Sequence, residues 1–313
     1  MDILIFILRL IGIIVLSPIV GGLMAGIDRK ISARMQGRTG PPILQPFYDV
    51  LKLMKKEGIE VNRLHRFYVY IALIFSVFTT AIVLMGGDIL LAMFALTLGA
   101  IFFVLGGYAG NSSYSFLGTE RELLQMMAYE PMVLITGAGF YYTSGSFFTK
   151  NIIDVSIPSI AYLPGVFAGM VFVLIFKLRK SPFDLSMSHH GGHQEIVSGI
   201  STEYSGKELA IIEITHWYES VFAFTIITMF FVTKNPWSYL FAALASILVY
   251  LFEILIENLK EANKKYDTVI PWYIMTSKEN NKETTDFLEK NNYFGYDRDH
   301  VTIFMQSELP LVD

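Results

Sequence analysis

Ionisable side chains interrupt the apolar runs of this 313-residue chain at helical spacing. Glu213, His216 and Glu219 follow one another at intervals of three residues, so a helix places them on one side. Glu130 lies in the first turns of another apolar run. A charge at the bilayer centre costs about 3 kcal/mol even on a mild scale, so these groups must face the protein interior or a hydrated cavity. Acids that share such a cavity predict a proton relay; the alternative is a set of structural ion pairs.

A polar strip, SPFDLSMSHHGGHQEIVSGISTEYSG, separates two apolar runs and adds further acids beside this group. The predicted relay therefore comprises Glu130, Asp184, Glu195, Glu203, Glu213, His216 and Glu219. In the same strip, His189, His190 and His193 offer donors that zinc or nickel accepts. The two glycines make the strip flexible and adjacent histidines diverge, so proton shuttling or a solvated loop is favoured, and no metal site is predicted.

The composition excludes several kinds of redox centre from the chain. It contains no cysteine, so disulfides, thiolate-bound iron–sulfur clusters and thioether-linked haem are ruled out. No cofactor is expected in the chain, and any cluster that serves it must lie on a partner.

The apolar runs predict an all-α polytopic membrane protein. Hydrophobic residues make up 53% of the chain, the mean hydropathy is +0.48, and several runs reach the roughly 20 residues that cross a bilayer. We predict seven transmembrane helices, with an eighth possible. They are placed at Ile3–Ala25, Phe67–Gly87, Ile89–Ala109, Met126–Ser144, Ile160–Leu178, Ile212–Val232 and Trp237–Ile256.

The distribution of lysine and arginine predicts the orientation. Nine of them lie in residues 27–66, and the alternate connections on the other side hold two. The N-terminus is therefore expected outside and the C-terminus in the cytoplasm of a multi-pass cell-membrane protein. Residues 1–256 form the predicted bundle with large cytoplasmic loops at 26–66 and 179–211, and residues 257–313 form a polar cytoplasmic extension. Within the first loop, Val50, Leu51 and Met54 predict one apolar side of an amphipathic helix.

Two long motifs carry a family resemblance. IDRKISARMQGRTGPPILQPFYDVLKLMKKEGI follows the first span, and SPFDL with QEIVSGISTEYSG follows the fifth. Together they resemble the membrane-embedded H-type subunits of respiratory complex I. They resemble more closely the membrane anchor subunits of energy-converting (respiratory, membrane-bound) [NiFe] hydrogenases and membrane-bound sulfur reductases. The resemblance covers approximately residues 3–256.

That resemblance implies docking loops on the cytoplasmic side. The matching positions are Arg34, Arg38, Gly40, Pro41, Pro182, Phe183, Tyr204, Ser205 and Gly206. The chain departs from complex I members where SMSHHGGHQ replaces a short acidic stretch, and where Asp28 stands in place of a frequent glutamate. The first departure argues against a quinone chamber.

The expected function is a membrane anchor and coupling subunit of a redox-driven ion pump in a hydrogenase or sulfur reductase complex. It would dock the soluble electron-transfer arm and relay protons, with no catalytic metal centre of its own. The expected partners are soluble iron–sulfur and hydrogenase-like subunits, antiporter-like membrane subunits and the bilayer, but no nucleic acid; iron–sulfur clusters and a [NiFe] centre would lie on these partners. The alternatives are a quinone-chamber subunit of a complex I-like dehydrogenase, a stand-alone secondary transporter, and a passive scaffold.

Overall fold

A computed structural model describes residues 2–35, 37–58, 62–179, 184–187, 198–265, 272–276, 282, 285–286, 289 and 301–305. The chain divides into two compact units, Met1–Glu257 and Asn258–Asp313. The α-helices in the described residues are α1 (Asp2–Met35), α2 (Gln45–Lys55), α3 (Arg63–Leu84), α4 (Ile89–Tyr108), α5 (Ser113–Ser144), α6 (Thr149–Ile152), α7 (Pro164–Lys177), α8 (Gly206–Met229) and α9 (Trp237–Lys265).

Three helices in the described part of the chain are long and apolar enough to cross a membrane, namely α1, α3 and α4. α7 and the first half of α9 are apolar but shorter, while α5 and α8 carry more charge. Each predicted span coincides with a helix, so the chain is a helical membrane protein. The count of seven spans and the orientation remain predictions.

Several helices extend beyond the apolar runs that predicted them. α1 continues ten residues past Ala25 to Met35, and α5 begins at Ser113, thirteen residues before the predicted start. Hydropathy marks the apolar part of a helix, whereas the polar turns are stabilised by packing and caps; Ser112 caps α5 by accepting from the Ser115 amide at 3.5 Å. The fifth span is instead shorter than predicted. Its α-helix starts at Pro164, a residue suited to a first helical turn because it needs no amide partner.

α8 lies at the centre of the first unit. It packs against α1, α2, α3 and α7, and most of its residues are buried although it carries three glutamates and a histidine. The largest apolar cluster joins α4, α5, α7 and the end of α8, where the rings of Phe140 and Phe230 lie 4.7 Å apart. The glutamates of α8 are therefore buried or half-buried, whereas Lys207 in its first turn is exposed.

The amphipathic helix predicted in the first loop forms as α2, and Val50, Met54 and Leu51 lie within an arc of about 100° on it. Val50 packs against Ala210 and Trp217, whereas Leu51 and Met54 are exposed. A rotation of about 100° per residue separates Val50 from Leu51, so α2 presents apolar groups both to the protein and to its surroundings.

The second unit contains a strand pair, which departs from the predicted all-α class. β1 (Trp272–Thr276) pairs in parallel with β2 (Val301–Met305), with Trp272 opposite Val301. Both segments are rich in aromatic and β-branched residues, which favour strands.

Candidate functional site

The end of α7 brings two cations to one buried cluster. α7 ends at Lys177, and Arg179 has a positive φ of 52°. In a continuous helix, residues two apart point about 200° away from each other. The left-handed conformation costs roughly 1–2 kcal/mol for a residue other than glycine. It also ends the helix and lets both side chains face the same interior.

Each cation is paired with a buried carboxylate. Lys177 Nζ lies 3.6 Å from Glu219 Oε2, with 10% and 13% of the two side chains exposed. The same ammonium lies 4.6 Å from the ring centre of Tyr129, a cation–π contact. Arg179 Nη2 lies 3.4 Å from Glu122 Oε1, so two positive and two negative charges occupy the cluster.

Ser186 ties the Arg179 pair to the following polar strip. Arg179 Nη1 donates to Ser186 Oγ at 3.1 Å, and Ser186 Oγ donates to the second oxygen of Glu122. Arg179 also lies 5.9 Å from the ring of Phe103. These contacts hold Arg179 from several directions, whereas Lys177 has one ion-pair partner among the described residues.

A cavity of about 240 Å³ opens beside the cluster. Asp184 lies on its wall; only 8% of this residue is exposed, and its Oδ1 accepts no hydrogen bond from the described residues. The charged or titratable residues that line the cavity are Asp28, Arg29, Lys177, Arg179, Asp184, Glu213, His216 and Tyr250.

Glu213, His216 and Glu219 lie along the wall formed by α8. Glu213 lines the large cavity, and Glu219 lines two smaller cavities of about 10 Å³ each. His216 lines the large cavity and one of the small ones, which places it between the two acids. Six residues of helix correspond to about 9 Å, so the three groups form a short polar row. Glu130 is half-buried on α5 but lines none of these three cavities.

Glu203 belongs to a separate cluster. Both of its oxygens accept from the Asn111 amide, at 3.0 and 3.1 Å, and one lies 3.7 Å from His65 Nε2. The rings of His65 and Tyr204 lie 5.1 Å apart. Burial raises the pKa of the Tyr204 hydroxyl, and the negative charge of Glu203 raises it further. Because Tyr204 is only 5% exposed, it can influence docking by supporting the loop but not by touching a partner.

The predicted docking residues fall into two places. Arg34 and Arg38 are exposed at the end of α1, and Arg38 lines a surface groove of about 500 Å³ with Gly40 and Pro41. Ser205 precedes the first residue of α8, Gly206, which has a φ of +54°. A Cβ at Gly206 would lie 3.0 Å from Gly58 Cα, so both the backbone conformation and the close approach require glycine. Of the other predicted positions, Pro182, Phe183, His189, His190, His193 and Glu195 lie outside the described residues.

The sequence interpretation missed Glu122, Tyr129, Lys177, Arg179 and His65 as members of the two clusters. Lys177 and Arg179 follow an apolar run directly and were counted as flanking cytoplasmic charges. Their spacing of two residues gave no sign that they would meet. One signal was present: the acids of α8 require cations nearby if they are buried.

Among the residues that the structure describes, no group of three or more His, Asp or Glu side chains is placed to hold an ion. The whole chain lacks cysteine, so it offers no thiolate for an iron–sulfur cluster.

Membrane-length helices that enclose charged groups define a polytopic membrane protein with an internal polar site. A family model for NADH dehydrogenase matches residues 8–274, and the chain therefore belongs to this NADH dehydrogenase family of membrane subunits. The resemblance inferred from the two sequence motifs is confirmed. The chain is a membrane oxidoreductase complex subunit of the complex I and hydrogenase-like type.

Relatives come from both branches of this family. NADH-ubiquinone oxidoreductase chain 1 of Aedes aegypti is 26% identical, over 79% of this chain and 85% of the relative. The H-type subunit of the NADH-quinone oxidoreductase of Aquifex aeolicus is 26% identical, over 71% and 74% respectively. Formate hydrogenlyase subunit 4 of Escherichia coli is 27% identical, over 70% and 74%.

A solved structure gives the same assignment. A chain in the structure of the membrane-bound sulfane sulfur reductase, described as an archaeal respiratory membrane complex, matches with a TM-score of 0.70 and 25% identity. The match covers 80% of this chain and 89% of that chain. A second family model, for UTP–glucose-1-phosphate uridylyltransferase, matches residues 248–313, a minority of the chain that begins within α9.

Proposed function

We propose that this chain is the membrane anchor and coupling subunit of a redox-driven ion pump in a membrane-bound hydrogenase or sulfur reductase complex. Its cytoplasmic loops dock a soluble electron-transfer arm that carries the iron–sulfur clusters and the catalytic metal. Its buried acids pass protons towards antiporter-like membrane subunits. The chain itself binds and orients the soluble arm and relays protons, and it makes no bond to the electron acceptor.

The cavity beside α8 is the observation that carries this proposal. It joins Glu213 and His216 to Asp184 on the polar strip that follows α7. A protein interior excludes such groups unless they are paired or functional, because burying a charge without a partner costs several kcal/mol. Glu213 has no ion-pair partner within 4 Å among the described residues, although it shares the cavity with Arg29, Lys177 and Arg179, which supports a proton-exchanging role over a fixed pair.

Co-purification tests the assembly. The chain, tagged at its native locus and extracted in mild detergent, should bring down soluble subunits that contain iron and nickel or another redox metal. Recovery of the chain alone, with unaided ion transport in liposomes, would instead support the stand-alone transporter.

Substitution of Glu213 tests the relay. In the intact complex reconstituted in liposomes, Glu213→Gln should stop proton movement per electron transferred, because an amide does not release a proton at neutral pH. Asp154→Asn, an exposed acid outside the cluster, is the matched control and should pump normally. Normal pumping by Glu213→Gln would support a passive scaffold.

A quinone-chamber subunit is the second candidate, favoured by the relatives from Aedes aegypti and Aquifex aeolicus. The described part of the cavity is about 240 Å³, and six of its fifteen lining residues are Asp, Glu, Lys or Arg. Pockets for organic ligands are usually 300–1,000 Å³ and mainly apolar, so this lining favours water and protons. If the purified complex reduced a soluble quinone analogue as fast as it turns over in its natural reaction, the quinone-chamber function would become the first candidate.

A further inference from the structure

Lys177 lies where three cavities meet, and the proton relay proposed above gives it no role. It lines the large cavity and both small ones. Its ammonium is paired with Glu219 on the side of the small cavities, and Glu213 faces the large cavity that Lys177 also lines. The Lys177 ammonium is therefore paired with the Glu219 carboxylate and shares a cavity with the Glu213 carboxylate, which it does not contact.

The two cations of the cluster differ in how they are held. Arg179 is bound by Glu122 and Ser186 and stacks near Phe103. Lys177 makes one ion pair, at 3.6 Å from Glu219 and longer than a good charge-assisted hydrogen bond, and a cation–π contact with Tyr129 that does not fix its direction. A lysine ammonium sits on a flexible four-carbon stem, so it can exchange partners without movement of its helix.

His216 connects the two carboxylates. It is three residues from each along α8, and it lines both the cavity of Glu213 and one of the cavities of Glu219. A neutral imidazole accepts a proton on one nitrogen and releases one from the other. Asp184 lines the large cavity too, but it lies on the polar strip after α7 and not on this helical row.

We propose that the Lys177 ammonium alternates between Glu219 and Glu213 while one proton moves in the opposite direction through His216. This inference rests on the proposed relay function. In the first state, Glu213 holds the proton and is neutral, and Glu219 is ionised and paired with Lys177. In the second state, Glu219 holds the proton, and Lys177 is paired with ionised Glu213.

The exchange is balanced in protons and in charge. One O–H bond is broken at Glu213 and one is formed at Glu219, with no change in the protonation of Lys177 and no net change at His216. Each state has one carboxylate and one ammonium in the group, so the number of buried charges is constant. Because an unpaired buried charge is the costly species, a moving counter-charge removes the main barrier to proton passage. The neighbouring Arg179–Glu122 pair adds one fixed positive and one fixed negative charge in both states.

Infrared spectroscopy of the intact complex tests this exchange directly. The difference spectrum between the reduced and oxidised complex should show one carboxylic acid band lost and one gained. Glu213→Gln and Glu219→Gln should each abolish both bands, because the exchanged proton then lacks its donor or its acceptor. Both bands should be absent in Lys177→Met, whereas Lys150→Met, an exposed lysine on α6, should match the wild type.

Proton translocation in liposomes separates this inference from the proposed function. We expect Lys177→Met to lose translocation with electron transfer retained. If Glu213→Gln stops translocation but Lys177→Met does not, the relay stands and the alternation is overturned. If both variants pump normally, the proposed function falls as well.

A conservative variant guards against misfolding. Lys177→Arg keeps a positive charge and a long side chain, so it should retain the paired infrared bands and at least part of the translocation. An assembled Lys177→Arg complex without band exchange would overturn the claim that a movable positive charge is what the site requires.

Discussion

Removal of the Arg179 side chain should destabilise the protein, because the carboxylate of Glu122 then loses its ion-pair partner. Glu122 is 14% exposed and Arg179 is 20% exposed, so the pair is largely shielded from water. Breaking a buried ion pair by removing one partner costs about 3–5 kcal/mol. The separation of 3.4 Å and the remaining bond from Ser186 place the expected cost of Arg179→Met near the lower end, at about 3 kcal/mol.

Thermal unfolding of the purified complex, followed by tryptophan fluorescence at a fixed scan rate, measures this effect. For a chain of 313 residues, a cost of about 3 kcal/mol corresponds to a decrease in Tm of roughly 5 °C. The double variant Arg179→Met with Glu122→Met removes both charges, and its Tm should return to within about 1 °C of the wild type. Lys150→Met, an exposed lysine on α6 outside both the cluster and the proposed docking loops, is the control and should leave Tm unchanged.

The double variant also decides the cause. If it is as unstable as Arg179→Met, the loss comes from packing against Phe103 or from the end of α7, and the electrostatic reasoning is refuted. A single variant with an unchanged Tm would refute it as well, because an uncompensated buried Glu122 cannot be without cost.

Three further substitutions have simpler expectations, each read from the Tm of the same complex. Gly206→Ala should lower Tm more than Gly145→Ala. Both glycines have a positive φ, which costs an L-residue about 1–2 kcal/mol, but only Gly206 is closely packed. Equal decreases in Tm would contradict the importance of that contact. Tyr204→Phe should raise Tm, because it removes a buried hydroxyl without a described hydrogen-bond partner; a decrease would reveal a partner such as an ordered water. Asp49→Asn should change stability by less than about 1 kcal/mol, because the Arg29–Asp49 pair is 46% and 42% exposed, and a larger loss would indicate a buried role.

The sequence predicted the helical class and the row on α8, because both follow from simple periodicities. Apolar runs of spanning length require helices in a bilayer, and a spacing of three residues places Glu213, His216 and Glu219 together. Family membership followed from two motifs with enough specific residues to exclude chance. These features depend on local sequence alone.

The counter-charges could not be predicted in the same way. Lys177 and Arg179 meet because one residue adopts a left-handed conformation, and no pattern of residue types announces that at an arginine. The pairing of Glu203 with His65 joins residues 138 positions apart, and such contacts arise from the packing of the whole bundle. The strand pair of the second unit was missed for a different reason, since its short aromatic and β-branched segments lie within a polar tail.

The length of α1 has a mechanical consequence. Its 34 residues form one continuous helix, about 51 Å long at 1.5 Å per residue, with Pro18 inside it. A hydrocarbon core of about 30 Å leaves roughly 20 Å of this rod outside the lipid, ending near Arg34. The same rod meets α8 where Gly21 abuts the backbone of Trp217, one residue from His216. A partner bound near Arg34 would therefore contact the same continuous helix that packs against α8 beside His216, so a displacement at that end would reach α8 through helical turns and not through a loop.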